Sequence, residues 1–279
     1  MKIRTATIRD KIKLSNLIHF EVYVHRHLEW RQPFDWIGQN LFLILEMNGK
    51  IVAALVCPPE PPSVSWIRLL TIASSEDVVP IWEVLWEEAL IILKDNGEVR
   101  WVAAMPLHGW MQSLLIKSGF QNNYNVLMLS WEKRGIPQDI IRFPGHIRPL
   151  QHDDLPFVRK IDELAFEPVW QNSIEVLALA YELSAVSTVI EINHEIVGYQ
   201  ISTTSPAGGH LARLAIHPDF QGKGLGYNLL QDLLFRFTQR GTRKVTVNTQ
   251  KDNIPSLALY AKAGFTPTGE EYPYYQLSL

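Results

Sequence analysis

Cysteine is nearly absent, no apolar run is long, and neither sign of charge dominates. With Cys57 the single cysteine among 279 residues, the chain can form no intrachain disulfide and no cysteine-rich metal site. A reducing compartment is the natural expectation, and no metal is expected. Lys and Arg number 26 against 29 Asp and Glu, a net charge of -3. So even a balance exerts no global pull toward nucleic acid or an anionic membrane, and any bound anion must be held locally. No uninterrupted apolar stretch is long enough to span a bilayer. Met1 to Asp10 has neither the apolar core nor the small-residue cleavage site of a signal peptide, so the chain reads as cytoplasmic.

What is present is 47% hydrophobic and 20% charged residues, the balance of a globular protein of one large or two ordinary domains. The chain also repeats itself. Ile3-Arg4 recurs as Ile147-Arg148, each followed six positions beyond the Arg by an acid, Asp10 and Asp154. Asn48-Gly49-Lys50-Ile51-Val52-Ala53 corresponds to Asn193-His194-Glu195-Ile196-Val197-Gly198, both polar turns between apolar strand runs. Ser118-Gly119-Phe120 matches Ala263-Gly264-Phe265. The offset stays nearly constant along the half, which predicts two copies of one α/β unit. Residues 1–132 and 146–279 are the expected domains, with 133–145 as linker, where Gly135, Pro137, Pro144 and Gly145 punctuate the sequence.

In the second copy, Leu211 to Ile216 is strand-like, but its large apolar residues are spaced three and then two apart. Either a β-bulge restores them to one face, or the strand is buried on both. His217-Pro218-Asp219-Phe220 ends this strand. Gly222, Gly224 and Gly226 then precede an amphipathic run through Leu229, Leu230, Leu233, Leu234 and Phe237, closed by Gly241. Strand, glycine loop and helix make either an ordinary tight turn or an anion cradle, in which backbone amides and the helix N-terminus face a phosphate. No Gly-Lys-Ser/Thr follows, and the third glycine comes too early for the dinucleotide fingerprint, so neither of those nucleotide folds fits. Downstream, Val245-Thr246-Val247-Asn248 alternates as a strand. Asn253 then reads as an N-cap, with Pro255 in the first turn and Ser256 and Tyr260 on one helix face.

Gln-x-x-Gly-x-Gly at Gln221, Gly224 and Gly226, followed by Asn-x-x-Ser-x-x-Leu-Tyr-x-x-x-Gly-Phe from Asn253 to Phe265, resembles the GNAT N-acetyltransferase superfamily. The resemblance implies two tandem GNAT-like domains, each a mixed, mostly antiparallel sheet flanked by helices. It implies acetyl-CoA as cofactor, its pyrophosphate on the amides of Gly222, Lys223, Gly224, Leu225, Gly226 and Tyr227. Its pantetheine arm would lie along Leu214, Ala215 and Ile216. Gln221, Asn253, Ser256 and Lys262 would border the cofactor, and Tyr260 would protonate the departing thiolate. The chemistry asks for the same groups independently: a deprotonated amine, a donor for the oxyanion and an acid for the sulfur.

The family's general base has no counterpart here. The position aligned with the Glu that some relatives carry is Asn248, which takes no proton, so an already neutral amine and a water relay both remain open. His217 reads as a surface loop residue. By resemblance, Phe166, Glu167 and Trp170 cover the acceptor, with Glu270, Glu271, Tyr272 and Tyr274 on its other side, a set suited to a cationic amine. These residues read equally well as surface charges and packing aromatics. In the first copy, Ser75 to Trp82 stands where the glycine loop should be, with no glycine, one proline and two carboxylates, and Leu115 replaces Tyr260. That copy is expected to have lost the cofactor, and most of its tryptophans to serve in packing. The tandem plan is similar to that of mycothiol synthases. The expected activity is transfer of acetyl to a small-molecule or peptide amine by a monomer or homodimer, with a non-catalytic acyl-CoA sensor as the alternative.

Overall fold

Asn48 and Gly49, and Asn193 and His194, turn their hairpins through left-handed backbone, with φ of 50° and 76° in the first turn and 51° and 65° in the second. Positive φ at both central residues matches the twist of the flanking strands. These are the turns expected from the sequence. The computed structural model of the chain describes residues 1–132 and 145–279, so all of the expected linker except Gly145 lies outside the described residues. Two compact units result: Met1–Asn123 with Tyr272–Leu279, and Tyr124–Glu271.

The chain order of the first half is β1 (Lys2–Thr5), α1 (Lys11–Phe20), β2 (Tyr23–Arg26), β3 (Phe42–Met47), β4 (Lys50–Val56), β5 (Val64–Trp66), β6 (Leu69–Ile72), α2 (Val78–Asn96), β7 (Trp101–Ala104), α3 (Gly109–Lys117) and β8 (Gln121–Glu132). In the first unit an antiparallel sheet runs β1-β3-β4-β6-β2. β5 leaves it to pair in parallel with β7. Ile67 and Arg68 span the break between β5 and β6, Ile67 donating to Ala103 and Arg68 to Val56. Trp36, Trp66, Trp82 and Trp86 are buried, the last two with rings stacked 5.2 Å apart, so these four tryptophans do serve in packing. Cys57 is fully buried, and burial pushes its thiol up to about 12, which makes it an inert core residue.

The second half continues β9 (His146–Pro149), α4 (Leu155–Ala165), α5 (Ile174–Glu182), β10 (Val186–Ile192), β11 (Glu195–Ser205), β12 (Gly208–Ile216), α6 (Leu225–Gln239), β13 (Lys244–Gln250), α7 (Ile254–Lys262) and β14 (Thr266–Ser278). In the second unit β9, β10, β11 and β12 are antiparallel neighbours, β13 joins β12 in parallel, and β8 follows antiparallel. α6 packs Leu230, Leu233, Leu234 and Phe237 against Leu211, Val245 and Val247. Each of these side chains contributes about 1.5–3 kcal/mol by leaving water. Gly241, at φ 81°, terminates the helix as the sequence suggested.

The repeat extends to side chains. Arg4 holds Asp10 through both guanidinium nitrogens at 2.8 Å and reaches Glu46 at 2.7 Å. Arg148 holds Asp154 at 2.6 and 2.9 Å and reaches Glu191 at 2.7 Å. In both cases the Glu sits at a register shift of its strand, which turns the carboxylate toward the Arg.

The unit boundaries differ from those expected. Tyr124–Glu132, expected in the first domain, belongs to the second unit, where β8 pairs with β13 from Val126 to Glu132. Tyr272–Leu279, expected in the second domain, belongs to the first, where Tyr275–Ser278 pairs with β7. Alternation along a strand fixes which side chains are buried but not which edge the strand completes. Among the described residues, no helix is long and apolar enough to cross a membrane.

Candidate active site

The candidate site is built from residues of the second unit. β12 pairs with β11 along its length, but Ala212 is an extra residue: Arg213 faces Ile201 while Leu211 faces Ser202. The bulge reading of the irregular spacing therefore holds. β12 and β13 pair only over Gly209–Leu211 and Val245–Val247, then diverge. The outer edge of Ala212–Ile216, which includes Leu214, Ala215 and Ile216, has no strand partner among the described residues. Unpaired backbone donors and acceptors line the resulting cleft.

The glycine loop sits at the end of that edge. Gly222 and Gly224 adopt φ of 73° and 80°, conformations that side chains disfavour, and open space surrounds a Cβ built on Gly222. Gly226 has a different role: a Cβ there would lie 3.5 Å from Leu259 and 3.7 Å from Ile216 and Leu214, so α7, β12 and the start of α6 converge on it. Gln221 donates from Nε2 to the Ile216 carbonyl at 3.0 Å, and Lys223 donates from Nζ to the Asp219 carbonyl at 2.8 Å. Gly224 is the N-cap of α6, no side chain caps this end, and the first helical bond runs from Asn228 N to Gly224 O. The amides of Leu225, Gly226 and Tyr227 thus precede the first helical donor, Asn228, and have no intrahelical acceptor, as an anion site requires.

α7 supplies the other wall. Asn253 caps it, its side chain accepting from Ser256 N at 3.2 Å. Lys262 places Nζ 4.6 Å from the Tyr227 ring centroid, bringing a cation to the first turn of α6. Tyr260 is only 6% exposed and packs against Phe265. Its hydroxyl has no hydrogen-bond partner among the described residues, and burial pushes the phenol above its usual range, so it remains a protonated donor at neutral pH.

The opposite face of β12 carries groups that the sequence reading missed. Arg213 donates from Nε to Asp162 at 2.7 Å and from Nη2 to the Trp170 carbonyl at 2.6 Å, with its guanidinium 3.5 Å from the Phe166 ring centroid. Asp162, fully buried, also accepts from the Tyr199 hydroxyl and from Asn172 N. A charge on the apolar face of α4, among Leu155, Val158 and Ile161, was the available signal. Trp170 donates from Nε1 to the Tyr124 hydroxyl at 2.7 Å, and burial pushes that phenol up to about 12.

Phe166 and Trp170 are therefore anchored over the bulged strand by Arg213, while Glu167 is exposed. Asn248 is exposed on β13. His217 caps the Pro218–Phe220 turn, accepting from Asp219 N, in keeping with a loop role. Glu271 is engaged by Asn125 at 2.7 Å and Lys251 at 3.0 Å. Tyr274 is fully buried in the first unit beside Trp66, so it is a core residue there. Among the described residues, no group of three His, Cys, Asp or Glu side chains is placed to hold a metal ion.

In the first unit, α2 begins where α6 begins in the second. Its N-cap is Asp77, whose carboxylate accepts from Val79 N at 3.2 Å, and Pro80 contributes no amide. A carboxylate of the chain itself occupies the anion position. Leu115 is fully buried and offers no proton.

The site is thus a bulged strand splayed from its parallel neighbour, with a glycine loop and a bare helix N-terminus at its end. Residues 155–265 match the model of the Acetyltransferase (GNAT) family. Over 94 residues, 34% of this chain, the sequence is 32% identical to the spore coat polysaccharide biosynthesis protein SpsD of Bacillus subtilis. Over 74 residues, 26% of the chain, it is 32% identical to an acetyltransferase of Pectobacterium atrosepticum. The aligned parts span 32% and 52% of those two relatives. Among solved structures, the fold resembles a tandem GNAT protein from the clavulanic acid biosynthesis pathway, with a TM-score of 0.65 over 99% of this chain and 98% of that one. At 14% identity this is a likeness of fold.

Proposed function

We propose that the second unit transfers an acetyl group from acetyl-CoA to a primary amine of a small molecule or peptide, by direct attack of the amine on the thioester. The carrying observation is the uncapped N-terminus of α6 beside the unpaired edge of β12, with Tyr260 of α7 buried in the cluster that includes Leu211 and Leu214 of that strand. The cofactor brings the activated acetyl group. The chain binds its pyrophosphate through the amides of Gly222 to Tyr227, with Lys262 adding a cation. Its pantetheine amides pair with the free edge of Leu214 to Ile216, and Asn253 and Ser256 border it from α7. A backbone amide released by the bulge at Ala212 stabilises the oxyanion, and Tyr260 gives its proton to the sulfur as the carbon–sulfur bond breaks.

The acceptor enters from the face that carries Arg213, under the Phe166–Trp170 segment. Glu167 and the aromatic rings there favour a cationic amine. One such site per chain is expected, because Asp77 fills the equivalent position in the first unit.

Purified protein incubated with acetyl-CoA and an amine panel tests the reading through release of free thiol. Turnover that falls at least about 10-fold in Tyr260→Phe supports it. Acetyl-CoA binding without turnover of any amine would favour a non-catalytic acyl-CoA sensor.

A further inference from the structure

His210 lies on β12 two residues before the bulge, where β12 and β13 begin to diverge. It pairs with Thr203, and Arg213 pairs with Ile201, so both side chains share the face of β12 that meets α4. Leu211 and Leu214 point to the other face, where Tyr260 packs. A histidine therefore lies on the β12 face that carries Arg213, at the point where the strands diverge, and a phenol packs on the opposite face.

Two contacts meet at the Thr246 hydroxyl. The Thr246 hydroxyl reaches the Gly209 carbonyl at 3.4 Å, and donation there leaves its oxygen to accept. His210 Nδ1 lies 2.9 Å from that oxygen, and in the Nδ1-protonated tautomer it donates to it. The imidazole then presents Nε2 with its lone pair. Nε2 has no partner among the described residues.

From this arrangement we infer that His210, through Nε2, is the general base that takes the proton from the acceptor amine, the role for which the sequence offered no residue. The inference rests on the acetyl-transfer reading. A cationic acceptor first loses its extra proton to solvent, and the neutral nitrogen then attacks the thioester carbonyl as one of its remaining protons passes to His210 Nε2. The new carbon–nitrogen bond forms, the carbon–sulfur bond breaks, and Tyr260 supplies the proton that makes the free thiol. Solvent then takes the proton from His210 and restores that of Tyr260, so the products are the N-acetyl amine and coenzyme A.

Burial holds His210 below the usual imidazole range, and no charged neighbour contributes to that shift. The ionisable groups on its face are Arg213, Asp162 and Tyr199, which are bonded to one another. On β13 it meets Thr246. The imidazole is thus neutral and competent as a base at pH 7.

Two measurements test the assignment. Long-range proton–nitrogen NMR of histidine-labelled protein at pH 7 should show His210 neutral with its proton on Nδ1. A proton on Nε2 overturns the assignment without bearing on the acetyl-transfer reading. In kinetics, kcat/KM of the wild type should fall in acid, with the limb lying below the ordinary imidazole value of about 6.5. His210→Gln should lower kcat about 100-fold or more, abolish that acid limb and leave acetyl-CoA affinity within about twofold. Thr246→Val, which frees the tautomer, should lower kcat several-fold with its acetyl-CoA affinity unchanged. Unchanged kcat and an unchanged acid limb in a folded His210→Gln protein would refute the role. Absence of turnover by the wild type would instead refute the acetyl-transfer reading, and this assignment with it.

Discussion

Gln221 donates through Nε2 to the carbonyl of Ile216 across 3.0 Å, tying the start of the glycine loop to the end of the splayed strand. The bond holds the cradle against the edge on which the acyl chain is proposed to lie. One hydrogen bond of this kind is worth about 1 kcal/mol. Gln221→Ala should weaken acetyl-CoA binding by about fivefold in calorimetry. Its melting temperature should stay within a few degrees of wild type, because Gln221 is exposed.

Gly224 and Gly241 sit at opposite ends of α6 with nearly equal φ, 80° and 81°. An alanine at either position is strained by about 1–2 kcal/mol, so Gly224→Ala and Gly241→Ala should be destabilised alike in urea. Only Gly224→Ala should lose acetyl-CoA affinity, by about 10-fold or more, because only that end presents amides to the cradle. Equal affinity losses in the two variants would remove the cradle from the account.

Asp162 is buried with Arg213, whereas Glu163 beside it pairs with Arg159 in solvent. Asp162→Ala leaves a buried guanidinium uncompensated, which should cost about 3–5 kcal/mol in urea unfolding. Arg159→Ala should cost less than about 1 kcal/mol. The same Asp162→Ala protein should lose acceptor affinity more than acetyl-CoA affinity, because Arg213 holds Phe166 and Trp170 in place.

Arg4 and Arg148 hold the carboxyls of Asp10 and Asp154 below the usual range. A carboxyl depressed in the folded state stabilises it above the unfolded value, about 3.9, and that stability is lost as pH falls through the folded value. Urea midpoints should therefore decline as pH is lowered from about 4. In the double variant Asp10→Asn, Asp154→Asn the midpoint should be lower at pH 7 and less dependent on acid.

The sequence carried the repeat, the hairpin turns, the caps of α6 and α7 and the bulge, because each rests on local chemistry within a few residues. Asn253 caps its helix and the spacing of Leu211, Leu214 and Ile216 needs one extra residue, and both facts are visible without tertiary contacts. The destination of the last strand in each half was not legible, since Tyr124–Glu132 and Tyr272–Leu279 carry no mark of the edge they complete. Nor was the Arg213–Asp162–Tyr199 cluster, whose members come from β12, α4 and β11. His210 was passed over for the same reason: its role depends on Thr246 and Gly209, and strand pairing alone brings them together.

The central claim is one acyl-CoA site per chain, in the second unit, and isothermal titration of the intact protein with acetyl-CoA tests it most directly. The account predicts one molecule bound per chain, with binding weakened by Gly224→Ala and unchanged by substitution of Asp77. No binding, or two equivalent sites per chain, would contradict it.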